Sequence, residues 1–130
     1  MFVLDGIDND KKKNGFWSDY DGDSSFLIAS TSSTAFQLRF SALQKPFSRK
    51  IEKNELKPEV SLNILCTALA ECVLLDWKGC ADSTGKDVPY TYEAALFALK
   101  NNDLLREFIQ EQAMDISNFE KQIEEKEIKN

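Results

Sequence analysis

The stretch from Pro58 to Val73 constrains the fold most, because its pattern predicts a helix that is apolar on most of its sides. Ile64 and Leu75 widen an apolar face whose residues recur at helical spacing. That face consists of Leu62, Leu65, Ala68, Leu69, Cys72 and Val73. Pro58 suits the first turn of a helix. We predict that this helix ends near Asp76 and Trp77, with Gly79 just beyond it. The rest of the chain must then surround it.

Three further helices are predicted from apolar residues three or four positions apart. The central helix that begins at Pro58 is the second of the four in chain order. The first carries Phe36, Phe40, Leu43, Phe47 and Ile51, and Pro46 is expected to kink it. The third starts at a Thr91 cap and packs closely through the stretch from Ala94 to Leu99. The fourth starts at an Asp103 cap, and its stripe comprises Leu105, Phe108, Ile109, Gln112, Ala113, Ile116, Phe119 and Ile123.

The first third of the chain has the character of a small β-element. Aromatic and β-branched residues at 16–20 and 25–29 flank an Asp-Gly turn, which predicts a β-hairpin. Residues 1–15 are expected to be flexible, and 124–130 to be a charged tail. The fold class is therefore mainly α (α+β), a single domain over 1–130. About four helices are expected to pack around the central apolar helix, with a small N-terminal β-hairpin.

Composition excludes several classes of function. The net charge is −6, which disfavours nucleic-acid and anionic membrane partners, since phosphate contacts need clustered Lys and Arg. The chain has no histidine, the commonest general base and a common zinc ligand. Its three cysteines form no C-x-x-C pair and are expected to be reduced thiols of a cytoplasmic protein. We expect no catalytic residues, no cofactor and no metal, and therefore no enzyme.

Two motifs partly resemble known binding loops but lack residues or the spacing that those loops require. Asp19, Asp21 and Asp23 have the spacing of calcium ligands, but Ser24 and Ser30 stand where that loop needs Gly and Glu. The stretch from Gly79 to Lys86 is one residue too long for a phosphate loop, and an acid follows the lysine. Both stretches are expected to be surface turns. A basic strip of Arg39, Lys45, Arg49 and Lys50 is expected on the outer face of the first helix, solvated or touching a partner.

The corner around Trp77 carries a family resemblance. Trp77, Val88 and Tyr90 are placed to seal a helix-loop-helix corner. The order of motifs, rather than any one of them, resembles the tail assembly chaperones of long-tailed bacteriophages: Lys45-Pro46-Phe47, Trp77-Lys78-Gly79, the stretch from Asp82 to Tyr90, and Asp115 to Phe119. The resemblance covers about residues 16 to 120, and Cys80 stands where Val is more usual.

The resemblance implies a role in building a long phage tail. Such chaperones bind the tape measure protein, help recruit tail tube subunits, act in the host cytoplasm and are absent from the mature virion. A homo-oligomer is a further option. Two other functions stay open from the sequence: a structural minor tail or head-tail joining protein, and a small acidic phage inhibitor of a host protein.

The candidate partner-binding residues are Ile116, Phe119 and Ile123, at the end of the fourth helical stripe. The fourth helix is long, so part of its apolar face could extend past the core and bind an apolar helix of the partner. The alternative is that these three residues pack on the first helix.

Overall fold

The computed structural model describes residues 1–122, which form an α+β fold, as the sequence predicted. The elements in chain order are α1 (Asn9–Asn14), β1 (Phe16–Asp19), β2 (Ser25–Ile28), α2 (Thr34–Gln44), α3 (Ser48–Glu52), α4 (Pro58–Cys72), β3 (Leu74–Lys78), α5 (Tyr92–Asn101) and α6 (Asp103–Met114). Two 3₁₀ turns, Lys45–Phe47 and Ile116–Phe119, complete them. Within the described residues, no helix is both long and apolar enough to span a membrane.

Helix α4 lies at the centre of the core, as its sequence predicted. Helix α4 packs against both α2 and α5. Five of its side chains are buried: Ile64, Cys66, Ala68, Leu69 and Ala70. A helix that contacts neighbours on two sides needs apolar residues over most of its circumference, because any polar side chain there would be buried without water. Ala68, Leu69 and Cys66 have no exposed surface at all.

The β-sheet has one strand more than the sequence predicted. The hairpin of β1 and β2 forms with Phe16 opposite Ile28, and β3 pairs antiparallel with the other edge of β2. The central helix was expected to reach Asp76 and Trp77, but α4 ends at Cys72 and the chain turns into β3. Val73, Leu74 and Trp77 are buried in this arrangement. Phe26 and Trp77 face each other across the two strands, which provides the cross-strand packing that the isolated hairpin would lack.

Pro46 breaks the first predicted helix instead of kinking it. The chain forms α2, then the 3₁₀ turn Lys45–Phe47, then the short helix α3. Proline has no N–H to donate and its ring clashes with the preceding turn, so regular α-helical bonding cannot pass through it. The apolar face survives the break only in part: Phe36 is buried, whereas Ile51 at the far end is 38% exposed.

The last predicted helix is shorter than expected. Helix α6 ends at Met114, and Ile116 to Phe119 form a 3₁₀ turn whose cap, Asp115, accepts hydrogen bonds from the N–H and hydroxyl of Ser117. Competition from such a short polar side chain ends a helix locally. The chain then runs antiparallel to residues 6–8, where Asp8 N–H donates to the Phe119 carbonyl at 2.8 Å and Lys121 N–H to that of Gly6 at 2.7 Å.

Helix α1 lies within the segment that was expected to be a flexible loop. Asp8 caps it by accepting the Lys11 N–H at 3.0 Å, and Gly15 ends it with φ +89°. The Lys12 carbonyl accepts a hydrogen bond from Ser30 N–H, which links α1 to the residues after β2. A capped helix with these contacts to Phe119 and Ser30 is a defined element of the fold.

Candidate functional site: an apolar end and an acidic groove

The corner around Trp77 is a structural site. The indole Nε1 donates to the Val88 carbonyl at 2.8 Å, and the Tyr90 hydroxyl donates to the Leu74 carbonyl at 2.7 Å. The rings of Trp77 and Tyr90 meet edge to face at 5.2 Å. Trp77 is 8% exposed, so the predicted closure of this corner by Trp77, Val88 and Tyr90 is confirmed, although Trp77 comes from a strand and not from a helix end. Its polar atoms are used within the fold, which leaves little for a ligand.

The acidic turns on either side of this corner stabilise themselves. Asp82 accepts hydrogen bonds from the N–H groups of Thr84 and Lys86 and from the Thr84 hydroxyl, and these bonds lower the pKa of its carboxyl. In the hairpin turn, Asp21 accepts from the N–H groups of Asp23 and Ser24, which lowers its pKa as well. A carboxylate already used by its own turn is a poor general base, because its protonated form is disfavoured.

The three thiols are not activated. Burial raises the pKa of Cys66, Cys72 and Cys80, so each favours the protonated, less nucleophilic form. Within residues 1–122, no group of three or more Cys, Asp or Glu side chains is arranged to hold a metal ion.

The structure separates the three predicted partner-binding residues. Phe119 has no exposed surface, and its ring packs edge to face on Phe16 of β1 at 5.2 Å. It belongs to the core, and its aromatic partner is on the sheet instead of on the first helix. Ile116 is 46% exposed and stays accessible to a partner. Ile123 lies outside the described residues.

Ile116 is one of five exposed apolar residues that we group as the apolar end: Met1, Phe2, Leu4, Met114 and Ile116. Phe2 is 85% exposed, Leu4 93% and Met114 69%. The antiparallel backbone pairing of residues 6–8 with 119–121 joins the segment that follows Leu4 to the segment that follows Ile116. Single exposed apolar residues are normal on a protein surface, and a group of them on two joined segments makes the apolar end a candidate interaction site.

Sequence reasoning missed most of the apolar end. The run from Met1 to Leu4 was predicted only as part of the flexible segment 1–15, and Met114 lies between two positions of the expected stripe. The signal that could have found the run was its composition: four consecutive apolar residues precede a polar stretch with no periodic partner. A run that continues no helical or strand period gives no reason to place it in the core, so a surface position is the simpler prediction.

A second surface is an open groove of about 760 Å³, which we call the acidic groove. The hairpin turn, the 79–88 turn, α5 and the start of α6 form it, with Trp77 and Phe26 at its floor. Phe97 and Leu104 stand at its edge, each 70% exposed. Phe97 had been expected to pack closely with its neighbours. The buried side of α5 is set by Ala95 and Leu99, and Phe97 is two positions from each, on the opposite side.

Comparison with known proteins gives one family. The sequence model of a family described as YdaY prophage protein matches residues 30–130. No curated protein matches, and no solved structure does. The matched residues include α2 to α6, β3 and the acidic groove except for its hairpin turn, whereas Met1 to Leu4 lie outside the match.

Proposed function

Since this chain belongs to the YdaY prophage protein family and is of phage origin, we propose that it is a phage tail assembly chaperone that binds the tape measure protein. The order of motifs resembles that of tail assembly chaperones, from Lys45-Pro46-Phe47 to the stretch that ends at Phe119. This resemblance supports the proposal of a chaperone. In this proposal the protein is not an enzyme, helps to recruit tail tube subunits, acts in the host cytoplasm and is absent from the mature virion.

The observation that carries the proposal is the apolar end. An unassembled tape measure is a long helical chain with apolar stripes, and a binding protein must offer apolar surface that its own core does not use. Each apolar side chain of this size that becomes fully buried contributes about 1.5–3 kcal/mol. Phe2, Leu4, Met114 and Ile116 together supply such a surface on a chain whose net charge of −6 keeps the complex in solution.

Co-expression with the tape measure protein of the same prophage tests the proposal. We expect wild-type chaperone to keep the tape measure in the supernatant, and the double variant Met114→Asp/Ile116→Asp to lose most of that effect, because two carboxylates would be buried in an apolar contact. Both residues are exposed, so the variant is expected to stay folded. Circular dichroism of the purified variant checks this.

Leu38→Asp is the matched control. Leu38 is 67% exposed, close to the 69% of Met114, and belongs to α2 away from the apolar end. We expect this variant to hold the tape measure as well as wild type does. An equal loss in the control would assign the effect to charge and not to the surface. A wild-type protein that leaves the tape measure insoluble would contradict the proposal itself.

Phe119→Ser, a substitution at another of the candidate partner-binding residues, cannot serve as this test. The side chain is fully buried, and its replacement would open a cavity beneath Phe16. A loss of tape measure binding would then follow from unfolding.

A further inference from the structure

The acidic groove carries charge of one sign. Asp21, Asp82 and Glu93 line it, and among residues 1–122 no lysine or arginine does. Between them lie exposed apolar side chains, chiefly Phe97 and Leu104. A groove that combines apolar side chains with three carboxylates favours a partner surface that is positively charged and partly apolar.

The same chain exposes a surface of the opposite sign, which we call the basic tip and define as residues 45–57. It contains five basic residues and two acidic ones, on a chain whose net charge is −6: Lys45, Arg49, Lys50, Lys53, Lys57, Glu52 and Glu55. All seven are exposed. Within the described part of the chain, none of them forms an ion pair within 4.0 Å. Ile51, 38% exposed, adds apolar area at its middle.

We propose that the basic tip of one copy docks in the acidic groove of a second copy. The tip does not fill the groove of its own molecule, because every described residue that lines the groove comes from 20–26 or 77–105. Both surfaces are therefore open in a single copy, and they complement each other in charge. Opposite charges brought together at a partly dehydrated contact favour association and fix its orientation.

The contact joins two different surfaces, so it is heterologous. Copies joined in this way either close into a ring or continue as a chain. Every copy in such an assembly presents its apolar end, since neither the groove nor the tip contains Met1, Phe2, Leu4, Met114 or Ile116. This inference goes beyond the proposed function and does not depend on it, because self-association is measured on the protein alone.

Sedimentation equilibrium of the purified protein tests the inference at 0.05 M and 1 M salt. We expect the average mass at low salt to rise with concentration to at least twice the 14.8 kDa of one chain. It should fall towards that of a single chain at 1 M salt, where charges are screened beyond about 3 Å. Wild-type protein that stays a single chain at every concentration and salt would overturn the inference.

Two variants locate the contact. Phe97→Lys places a positive charge at the groove, and Arg49→Glu/Lys50→Glu reverses the charge of the tip; all three side chains are exposed. Each variant alone is expected to be a single chain. An equimolar mixture is expected to form a one-to-one pair, because the first variant keeps an intact tip and the second an intact groove.

Leu38→Lys is the matched control, since Leu38 is 67% exposed, close to the 70% of Phe97, and belongs to neither the groove nor the basic tip. It is expected to associate as wild type does. A mixture of the two variants that remains a single chain, or a control that loses association to the same extent as Phe97→Lys, would show that copies do not meet through groove and tip.

Discussion

At the scale of single residues, large side chains with a polar atom fix the corners of this fold. Trp77 and Tyr90 each bury an aromatic ring and donate one hydrogen bond to a backbone carbonyl on another segment. One bond pairs the Val88 carbonyl at the end of the 79–88 turn, and the other pairs the Leu74 carbonyl at the start of β3. The aromatic ring supplies burial, and the bond fixes the position of the turn relative to the sheet.

The substitution Trp77→Ala separates these two contributions when compared with Trp77→Phe. We expect Trp77→Ala to lower the free energy of unfolding by about 3–5 kcal/mol, as for other buried aromatic residues. Trp77→Phe keeps most of the ring but removes the donor to Val88, so a loss of about 1–3 kcal/mol is expected. Urea unfolding followed by circular dichroism measures both. Equal losses would mean that the hydrogen bond and not the ring volume stabilises the corner.

At the scale of elements, the sequence predicted that most helices and the hairpin exist, but it did not predict all of their boundaries. The existence of the hairpin and of α2, α4, α5 and α6 followed from their periods, and Thr91 caps α5 as predicted. The cap of α6 is Asn102 and not the predicted Asp103, which is the first residue of that helix. The boundary between α4 and β3 did not follow from the period. Val73, Leu74 and Leu75 suit a buried helix and a buried strand equally, and only the open edge of β2 decides between them.

The partner surface could not be predicted from the same stripes. Ile116 and Phe119 share one spacing in the sequence and lie at the two ends of a 3₁₀ turn. Phe119 is buried because its ring packs on Phe16 of the hairpin, a contact that the helical period does not predict, whereas Ile116 stays exposed. Phe97 in α5 shows the reverse case, where a large apolar residue among small ones suggested the core and the structure places it at the edge of the groove.

Gly79 is expected to be the least replaceable residue in the connection from β3 to the following turn. Its φ is +72°, and a Cβ there would collide with the Asp23 carbonyl oxygen in the hairpin turn. Gly85 has φ +87° but nothing within 4 Å of its Cβ position. Gly85→Ala should therefore cost only the left-handed backbone, about 1–2 kcal/mol. Gly79→Ala should cost clearly more, because the hairpin turn must also move. Similar melting temperatures for the two variants would contradict this packing of the turns.

At the scale of the whole molecule, burial and charge are distributed unevenly. The core around α4 is closed, while the apolar end, the acidic groove and the basic tip remain on the surface. A protein that acted alone would gain nothing from three such surfaces, and exposed apolar groups favour unwanted association. Surfaces of this kind suit a chain that works in a complex. In the functions that we propose, one surface binds a long apolar partner and the other two bind further copies of the chain.

Electron microscopy of phage particles tests the role in tail assembly most directly. The prophage that carries this gene is induced with and without an early stop codon in the reading frame. We expect the stop codon to yield heads without long tails, and the wild-type gene supplied in trans to restore them. Mass spectrometry of purified wild-type particles should detect no peptide of this chain, in contrast to a structural tail or joining protein. Tails of normal number and length in the interrupted strain would contradict the proposed function.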